Sequence, residues 1–140
     1  MSSIMQLRTD HVELIDICQL LEGSIAGATP PASVDLFGVR NRLTGRLIAH
    51  LKAEDWLLYP RLLESGNPEI ASTARRFVDE MGGLAAAFNA YVEGWDAFRI
   101  EREWDTYKRE TAAIIDALRT RIMRENRELY PLLERLDKAA

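Results

Sequence analysis

The chain has 140 residues, of which 47% are hydrophobic and 29% are charged, and it carries a formal net charge of -4 at pH 7. This composition predicts one globular domain over residues 1–140 with a core of its own. An acidic balance without a cluster of Lys and Arg argues against nucleic acid as a partner. No apolar run approaches the roughly 18 residues of a membrane span. Because the first residues lack signal-peptide features and Cys18 is the only cysteine, we expect a cytoplasmic protein without an intrachain disulfide.

The first predicted helix covers about residues 3–26. Its inward positions recur at alternating steps of three and four residues, which is a heptad-like seam for packing against other helices. His11 is the only polar residue on this seam, and we interpret Cys18 as a packing residue. The seam consists of Ile4, Leu7, His11, Leu14, Cys18, Leu21 and Ile25.

A second helix is predicted over about residues 34–63, after the Gly- and Pro-rich segment 27–33, with Ser33 or Asp35 as its N-cap. Pro60 is expected to bend or loosen its last turn. The predicted seam consists of Leu36, Val39, Leu43, Leu47, His50, Glu54 and Leu57.

Two further helices are predicted over about residues 68–98, with Pro68 at the start, and 103–136, joined by a solvated connection at 99–103. The seam of the third is Ile70, Ala74, Phe77, Met81, Leu84, Phe88, Tyr91 and Trp95. The seam of the fourth is Tyr107, Thr111, Ile114, Leu118, Arg121, Glu125, Leu129, Leu132 and Leu136. With no strand pattern, the predicted fold is all-α, an antiparallel up-down-up-down four-helix bundle.

A histidine and a carboxylate stand four residues apart in the second helix, at His50 and Glu54. This spacing places both side chains on one helix face, and that face points at the core. Residues 121–131 repeat the pattern of residues 50–60 when their Tyr-Pro pairs are aligned. Glu125 then matches Glu54, but Arg121 stands at the position of His50.

Antiparallel packing predicts that the unusual seam residues meet at one level of the bundle. These residues are His11, His50, Glu54, Met81, Arg121 and Glu125. Inward histidines and carboxylates on facing helices form the metal sites of bundle proteins, and they suit Fe, Mn or Zn. His11, His50, Glu54 and Glu125 would suffice for one metal with positions left for water or dioxygen, whereas two metals would be under-supplied.

Three segments carry a family resemblance, namely Asp10-His11, then His50-xxx-Glu54-Asp55-xx-Leu58-Tyr59-Pro60, then Glu125-xxx-Leu129-Tyr130-Pro131. The chain resembles the hemerythrin-like family of HHE cation-binding domains over nearly its whole length. The resemblance implies a four-helix bundle with a non-haem di-iron centre that binds dioxygen, senses oxygen or redox state, or handles iron.

The same resemblance implies that His11, His50, Glu54 and Glu125 are metal ligands. Two positions depart from the family pattern, because Met81 and Arg121 stand where the third and fourth helices should supply histidines. Arg121 could instead bridge two buried carboxylates, since a guanidinium is always charged and offers a fork of donors.

The sequence therefore leaves several interpretations open. The first is a non-enzymatic regulatory or sensing module with a degraded, metal-free site that acts through ligand-dependent or protein–protein contacts. The second is an oxygen or redox sensor or carrier with a reduced non-haem iron site of one or two ions. The third is a bundle that binds an organic cofactor. No phosphate-binding loop or nucleophile motif is present, so we do not expect an enzyme.

A glycine pair interrupts the third predicted helix at Gly82 and Gly83. Each glycine costs a helix about 1 kcal/mol relative to alanine, so a compensating role is expected. Either the helix kinks or closely approaches a neighbour, or a cavity here takes a small or flat ligand. In the second case the cofactor-binding residues would be Met81, Gly82, Gly83 and Arg121.

The outer face of the second predicted helix carries Gly45, Ala49 and Ala53 at four-residue spacing beside Trp56. An outward tryptophan beside small residues is typical of a protein-partner or homodimer surface. The alternative is a tryptophan that lies over its own helix.

Overall fold

The computed structural model describes the backbone of residues 3–139 and the side chains of residues 3–135, so the predicted seam position Leu136 lies outside the described side chains. Its helices are α1 (Ile4–Ser24), α2 (Ser33–Lys52), α3 (Tyr59–Leu63), α4 (Pro68–Met81), α5 (Leu84–Gly94), α6 (Ala97–Arg102), α7 (Trp104–Arg124) and α8 (Tyr130–Ala139). A first π turn (Ala53–Leu58) joins α2 to α3, and a second π turn (Glu125–Leu129) joins α7 to α8.

These elements form four bundle helices: α1; α2 with the first π turn and α3; α4 with α5; and α7 with the second π turn and α8. The antiparallel four-helix bundle is confirmed, since α1 packs on α2 and α7, α3 packs on α4, and α5 packs on α7. The described part of the chain contains no strand. None of its helices combines the length and the apolar character that crossing a membrane requires.

Each π turn adds one residue to a bundle helix just before a Tyr-Pro pair. The Tyr59 N–H donates to the carbonyl of Glu54, and the Tyr130 N–H donates to the carbonyl of Glu125, both five residues back. The proline after each tyrosine has no N–H and its ring crowds the carbonyl four residues back, which favours the wider turn. The loosening predicted at Pro60 is therefore present, in the form of a π turn.

The added residue rotates everything that follows it around the helix axis. Tyr59 is only 3% exposed and takes the next inward position after Glu54. Leu57, which regular heptad spacing places on the seam, is 52% exposed. The seam assignment of Leu57 is therefore wrong, because the spacing assumes an uninterrupted α-helix.

The starts of α2 and α4 differ in how they are capped. At α4, the Asn67 side chain accepts hydrogen bonds from two backbone N–H groups at 3.0 and 3.1 Å, and Pro68 begins the helix as predicted. At α2 the N-cap is Ala32, without a side-chain hydrogen bond. The predicted cap at Ser33 or Asp35 is wrong, because both residues lie inside the first turn.

The single helix predicted over residues 68–98 is interrupted at the glycine pair, where α4 ends and α5 begins. A Cβ atom on Gly82 would lie 2.5 Å from the carbonyl oxygen of Val78, whereas a Cβ atom on Gly83 would meet no atom within 4 Å. The helix is thus interrupted at the glycine pair, and of the two glycines Gly82 is the one that requires the absence of a Cβ atom.

Two arginines cap the end of α5. Arg40 of α2 donates to the carbonyl of Trp95 at 2.8 Å, and Arg99 donates to the carbonyl of Gly94 at 2.7 Å. These bonds satisfy carbonyls that a helix end leaves without partners. The solvated connection predicted at 99–103 is wrong in one respect, because α6 forms there and its Ile100 is 2% exposed against the core.

The apolar interior is divided into two clusters. The larger one contains Leu14, Leu47, Phe88, Tyr107 and Leu118, together with Cys18, which is 0% exposed and packs as predicted. The smaller one consists of Leu7, Tyr59, Leu62, Ala74, Phe77, Leu129, Tyr130 and Leu133. His11 stands between Leu7 and Leu14 along α1, and Glu125 stands between Ile122 and Leu129, so these ionisable seam residues lie between the two apolar clusters.

Candidate metal centre

A layer of buried ionisable side chains lies between the two apolar clusters. It consists of His11, His50, Glu54, Arg121 and Glu125, each 3% exposed or less. Helices α1, α2 and α7 supply His11, His50 and Arg121, and the two π turns supply the glutamates. Because buried charges are costly without partners, these groups have to neutralise one another or bind an ion.

Four predicted ligand residues converge in this layer. One ligand-type atom from each of His11, His50, Glu54 and Glu125 lies within 4.8 Å of the other three. The two imidazole Nε2 atoms are 3.1 Å apart. The Nε2 of His50 is 3.0 Å from Glu54 Oε1, and the Nε2 of His11 is 3.1 Å from Glu125 Oε1.

The outer nitrogen of each imidazole is held by an acceptor. His50 Nδ1 lies 2.9 Å from a carboxylate oxygen of Asp10, and His11 Nδ1 lies 2.8 Å from the side-chain oxygen of Asn126. Because each Nδ1–H donates outwards, each neutral ring presents the lone pair of Nε2 inwards. Outer partners of this kind fix histidine ligands in metal sites.

The inward atoms form an acceptor-rich set. Two lone pairs 3.1 Å apart need a shared proton or a cation between them. Glu125 Oε1 is fully buried, and His11 Nε2, 3.1 Å away, donates to it only when that nitrogen is protonated. A buried carboxylate oxygen beside two inward imidazole lone pairs fits one divalent metal ion.

Arg121 bridges the two glutamates. Its Nε donates to Glu125 at 3.2 Å, and its Nη2 donates to Glu54 at 3.2 Å and to Asp55 at 2.7 Å. The predicted bridge between two carboxylates is therefore present. The donor set does not fit a second metal ion, because a permanent positive charge already lies between the glutamates.

Met81 reaches this layer through its backbone carbonyl oxygen, 3.5 Å from Nη1 of Arg121, and its side chain packs against the smaller apolar cluster. A cavity of about 370 Å³ opens beside it, and Met81, Gly83 and Arg121 are among its lining residues. Gly82, the fourth residue predicted for a cofactor site, is not among them. The remaining lining residues are Glu80, Leu84, Ala87, Ile114, Ala117 and Thr120.

Two tyrosines connect the layer to the smaller apolar cluster. The Tyr59 hydroxyl donates to Glu125 at 2.6 Å, and the Tyr130 hydroxyl donates to Glu54 at 2.6 Å. Burial raises the pKa of both phenols, and the negative charges of the glutamates raise it further. Both tyrosines therefore remain hydrogen-bond donors at neutral pH.

Electrostatics separate the pKa values of the two glutamates. Burial raises the pKa of Glu54, but His50 and Arg121 outweigh burial and hold that pKa below its usual value. For Glu125, burial and the charge of Glu54 raise the pKa. Burial lowers the pKa of His50, but Glu54 and Asp10 outweigh it and raise the pKa to about 9.

The sequence patterns did not identify the side chains that orient the candidate ligands, although most of these side chains stand next to a candidate ligand in the chain. Asp10 and Asn126 each stand next to a ligand candidate along the chain, and so does Asp55. Tyr59 and Tyr130 belong to the repeated Tyr-Pro pair. Their adjacency was visible, but which partner each side chain reaches depends on the packing of different helices.

The outer face of the first π turn carries the apolar surface expected there. Trp56 is 70% exposed, and the Lys52 ammonium lies 5.4 Å from its ring centroid. Ala49 and Ala53 line a neighbouring groove of about 210 Å³ that also reaches Asp10. The outward orientation of Trp56 is confirmed, whereas Ala53 is half-buried against the smaller apolar cluster, and a protein partner for this face stays a prediction.

The family model described as the hemerythrin HHE cation binding domain matches residues 2–133 of this chain. No curated protein and no solved structure gives a significant match to it. The matched segment contains the whole buried layer, including both positions that depart from the family's ligand pattern.

Proposed function

Since this chain belongs to the hemerythrin HHE cation-binding family, we propose that it is a small regulatory or sensing module that binds one non-haem metal ion, with iron as the expected metal. His11, His50, Glu54 and Glu125 would hold the ion. Arg121 would replace a second ion. The observation that carries this proposal is the pair of inward Nε2 atoms, 3.1 Å apart, beside the buried Glu125 Oε1.

The number of ions follows from the donor set. Two imidazoles and two carboxylates suffice for one Fe, Mn or Zn ion and leave positions for a small ligand. Arg121 adds one permanent positive charge beside the two glutamates and also pairs with Asp55. The site is thus reduced relative to the di-iron centre that the family resemblance implies.

Bound iron would supply a one-electron redox couple and open coordination positions for dioxygen or a similar small ligand. The chain's own residues orient and shield that site. Asp10 and Asn126 fix the imidazole rings, and the apolar clusters on both sides limit access of water. These contacts occupy the Nδ1 atoms of both histidines. The arrangement therefore supports ligand binding and signalling more than catalytic turnover.

The first π turn offers a route from the site to a partner. It carries Glu54 inwards, Asp55 towards Arg121, and Trp56 and Leu57 outwards. A change in the position of Glu54 therefore acts within two residues of an exposed apolar surface. We propose this surface as the contact face for a protein partner or a second copy of the chain.

Metal content, measured together with an absorption spectrum, tests the proposal. The protein is expressed with added iron and purified without a metal-affinity column. We expect about one iron per chain by the ligand count above, and loss of that iron in His50→Ala. Tyr107→Phe, which changes the larger apolar cluster, should retain it. Two irons per chain would contradict the one-ion site, as would a protein whose thermal stability ignores both Fe(II) and chelators.

A metal-free module is the alternative that Arg121 favours. Arg121 contacts Glu54, Asp55 and Glu125 and supplies one of the positive charges that these carboxylates need in the absence of a metal. In that case a proton between the two imidazoles would complete the network. Absence of iron binding, with unchanged stability on addition of Fe(II), would select this alternative.

The 370 Å³ cavity supports a second candidate function, the binding of a small organic ligand. Its lining is mainly apolar, with Met81, Gly83, Leu84 and Ala117, and Arg121 adds a donor group. Ligand sites of this kind combine apolar walls with a few polar groups. A coloured preparation that contains no iron, and that loses its colour in Ala117→Leu, would favour this function.

A further inference from the structure

The two tyrosines and the two glutamates of the buried layer are paired crosswise. Tyr59 follows Glu54 in the chain but donates to Glu125, and Tyr130 follows Glu125 but donates to Glu54. Both O···O distances are 2.6 Å, which is typical of a hydroxyl that donates to a charged carboxylate. Each hydrogen bond therefore joins one sequence repeat to the other.

This pairing depends on the π turns. In a regular α-helix, residues five apart lie far apart around the axis, so a glutamate and a tyrosine at this spacing would not share a face. The wider turn brings Tyr59 inwards after Glu54 and Tyr130 inwards after Glu125. Each helix thereby presents one carboxylate and one phenol to the same interior.

The crossed bonds distinguish the two oxygens of each carboxylate. In Glu54, Oε2 accepts from Tyr130, whose hydroxyl also lies 3.2 Å from His11 Nε2, while Oε1 lies 3.0 Å from His50 Nε2 and accepts from Arg121 at 3.2 Å. In Glu125, Oε2 accepts from Tyr59 and from Arg121 Nε at 3.2 Å, while Oε1 lies 3.1 Å from His11 Nε2. Both Oε1 atoms therefore face the imidazoles, and both Oε2 atoms are held on the tyrosine side.

We propose that Tyr59 and Tyr130 are positioning residues that make each glutamate present a single oxygen to the metal ion. This inference rests on the proposed one-metal function. Without the phenol, Glu54 Oε2 is freed to reach the ion or the carboxylate can rotate away, whereas Glu125 Oε2 keeps a single, longer bond from Arg121 Nε at 3.2 Å. The tyrosines thus determine how many oxygens the ion receives and how many positions stay open for a ligand. Partners of this kind typically change metal affinity by about 10- to 100-fold when they are removed.

Co(II) is the probe for the first experiment, because the position and intensity of its visible bands report coordination number. Wild-type protein, Tyr59→Phe and Tyr130→Phe are titrated with Co(II) after chelator treatment. We expect each variant to bind Co(II) about 10- to 100-fold more weakly and with altered bands. Tyr107→Phe is the matched control, since it removes a buried hydroxyl that accepts from Tyr91 at 2.8 Å in the larger apolar cluster. It should leave affinity and spectrum unchanged.

A second experiment tests the crossed pairing without any metal. In chelator-treated protein, the loss of Tm in the double variant of Tyr59→Phe and Glu125→Gln should be clearly smaller than the sum of the two single losses. When Tyr59→Phe is combined with Glu54→Gln instead, the loss of Tm should be closer to the sum of the two single losses. In the corresponding cycle with Tyr130→Phe, Glu54→Gln should give the loss of Tm that is smaller than the sum, and Glu125→Gln the nearly additive loss.

The outcomes separate this inference from the proposed function. If wild-type protein binds no Co(II), the proposed function and the inference fail together. If it binds Co(II) and the two phenylalanine variants match it in affinity and spectrum, the inference alone fails. Additive losses for both crossed pairs would also overturn it.

Discussion

The imidazoles of His11 and His50 face each other with their Nε2 atoms 3.1 Å apart, while the opposite nitrogen of each ring is held by Asn126 and Asp10 respectively. Two neutral rings held in this way would oppose two lone pairs in a dry interior. The layer is therefore built to contain positive charge. Arg121 supplies one permanent positive charge beside the imidazoles. A proton or a metal ion between the two Nε2 atoms would supply another.

Replacement of Arg121 by alanine is expected to destabilise the metal-free protein by about 3 kcal/mol, because it leaves two buried carboxylates without their cation. Urea unfolding at pH 7 measures the loss. Arg135→Ala is the control, since Arg135 pairs with Glu69 at the surface with both side chains more than 60% exposed, and such pairs contribute roughly 0–1 kcal/mol. Equal losses in the two variants would show that Arg121 does not neutralise the layer.

Arg121→His should increase the iron bound per chain. The change removes a cation that repels metal ions and places an imidazole four residues before Glu125, as His50 stands before Glu54. Metal analysis after loading with Fe(II) measures the gain. Arg119→His, which alters a surface arginine paired with Glu22, should not raise the iron content. An unchanged iron content in Arg121→His would mean that the histidine missing at Met81 is also required.

The two glycines between α4 and α5 should respond differently to alanine. Gly82→Ala is expected to destabilise the protein by about 1–2 kcal/mol, since its Cβ would lie 2.5 Å from the Val78 carbonyl oxygen and the turn would have to shift. Gly83→Ala meets no atom within 4 Å and lowers the entropy of the unfolded chain, so it should be neutral or slightly stabilising. Thermal unfolding of the two variants compares them directly, and similar losses would contradict the assigned contact.

The seams of the four bundle helices could be read from the sequence because heptad spacing depends only on local geometry. Positions such as Leu47 and Phe88 are buried as that spacing predicts. The spacing fails where the helix itself changes. The π turn displaces Leu57 to the surface, and hydrophobic periodicity cannot indicate that a helix contains an added residue.

The candidate ligands could be predicted from the sequence, whereas the side chains that contact them could not. His11 and His50 stand out as polar residues on apolar seams, and Arg121 stands out against the repeat. The contacts of Asp10 and Asn126 were not predictable, because they depend on how two helices are placed side by side. A pattern within one helix gives the face of a residue but not the atom that it meets.

Cys18 provides a test of the larger apolar cluster through pH. Its side chain is 0% exposed, and burial raises the pKa of its thiol to about 11 from a usual value of 9.0. Because the folded pKa is the higher one, the thiol's contribution to stability is complete below pH 9.0 and is lost as the pH rises towards about 11. We expect that loss to be on the order of 2 kcal/mol.

Urea unfolding of wild-type protein and Cys18→Ala at pH 8 and at pH 10.5 measures this contribution. The variant loses packing at both pH values, but its additional loss between them should be smaller than that of the wild type, because it has no thiol to titrate. Alkylation of the native thiol at pH 8 should also be slow, and it should become fast in urea. Rapid alkylation of the folded protein, or an equal pH-dependent loss in both proteins, would show that the cluster does not exclude the thiolate.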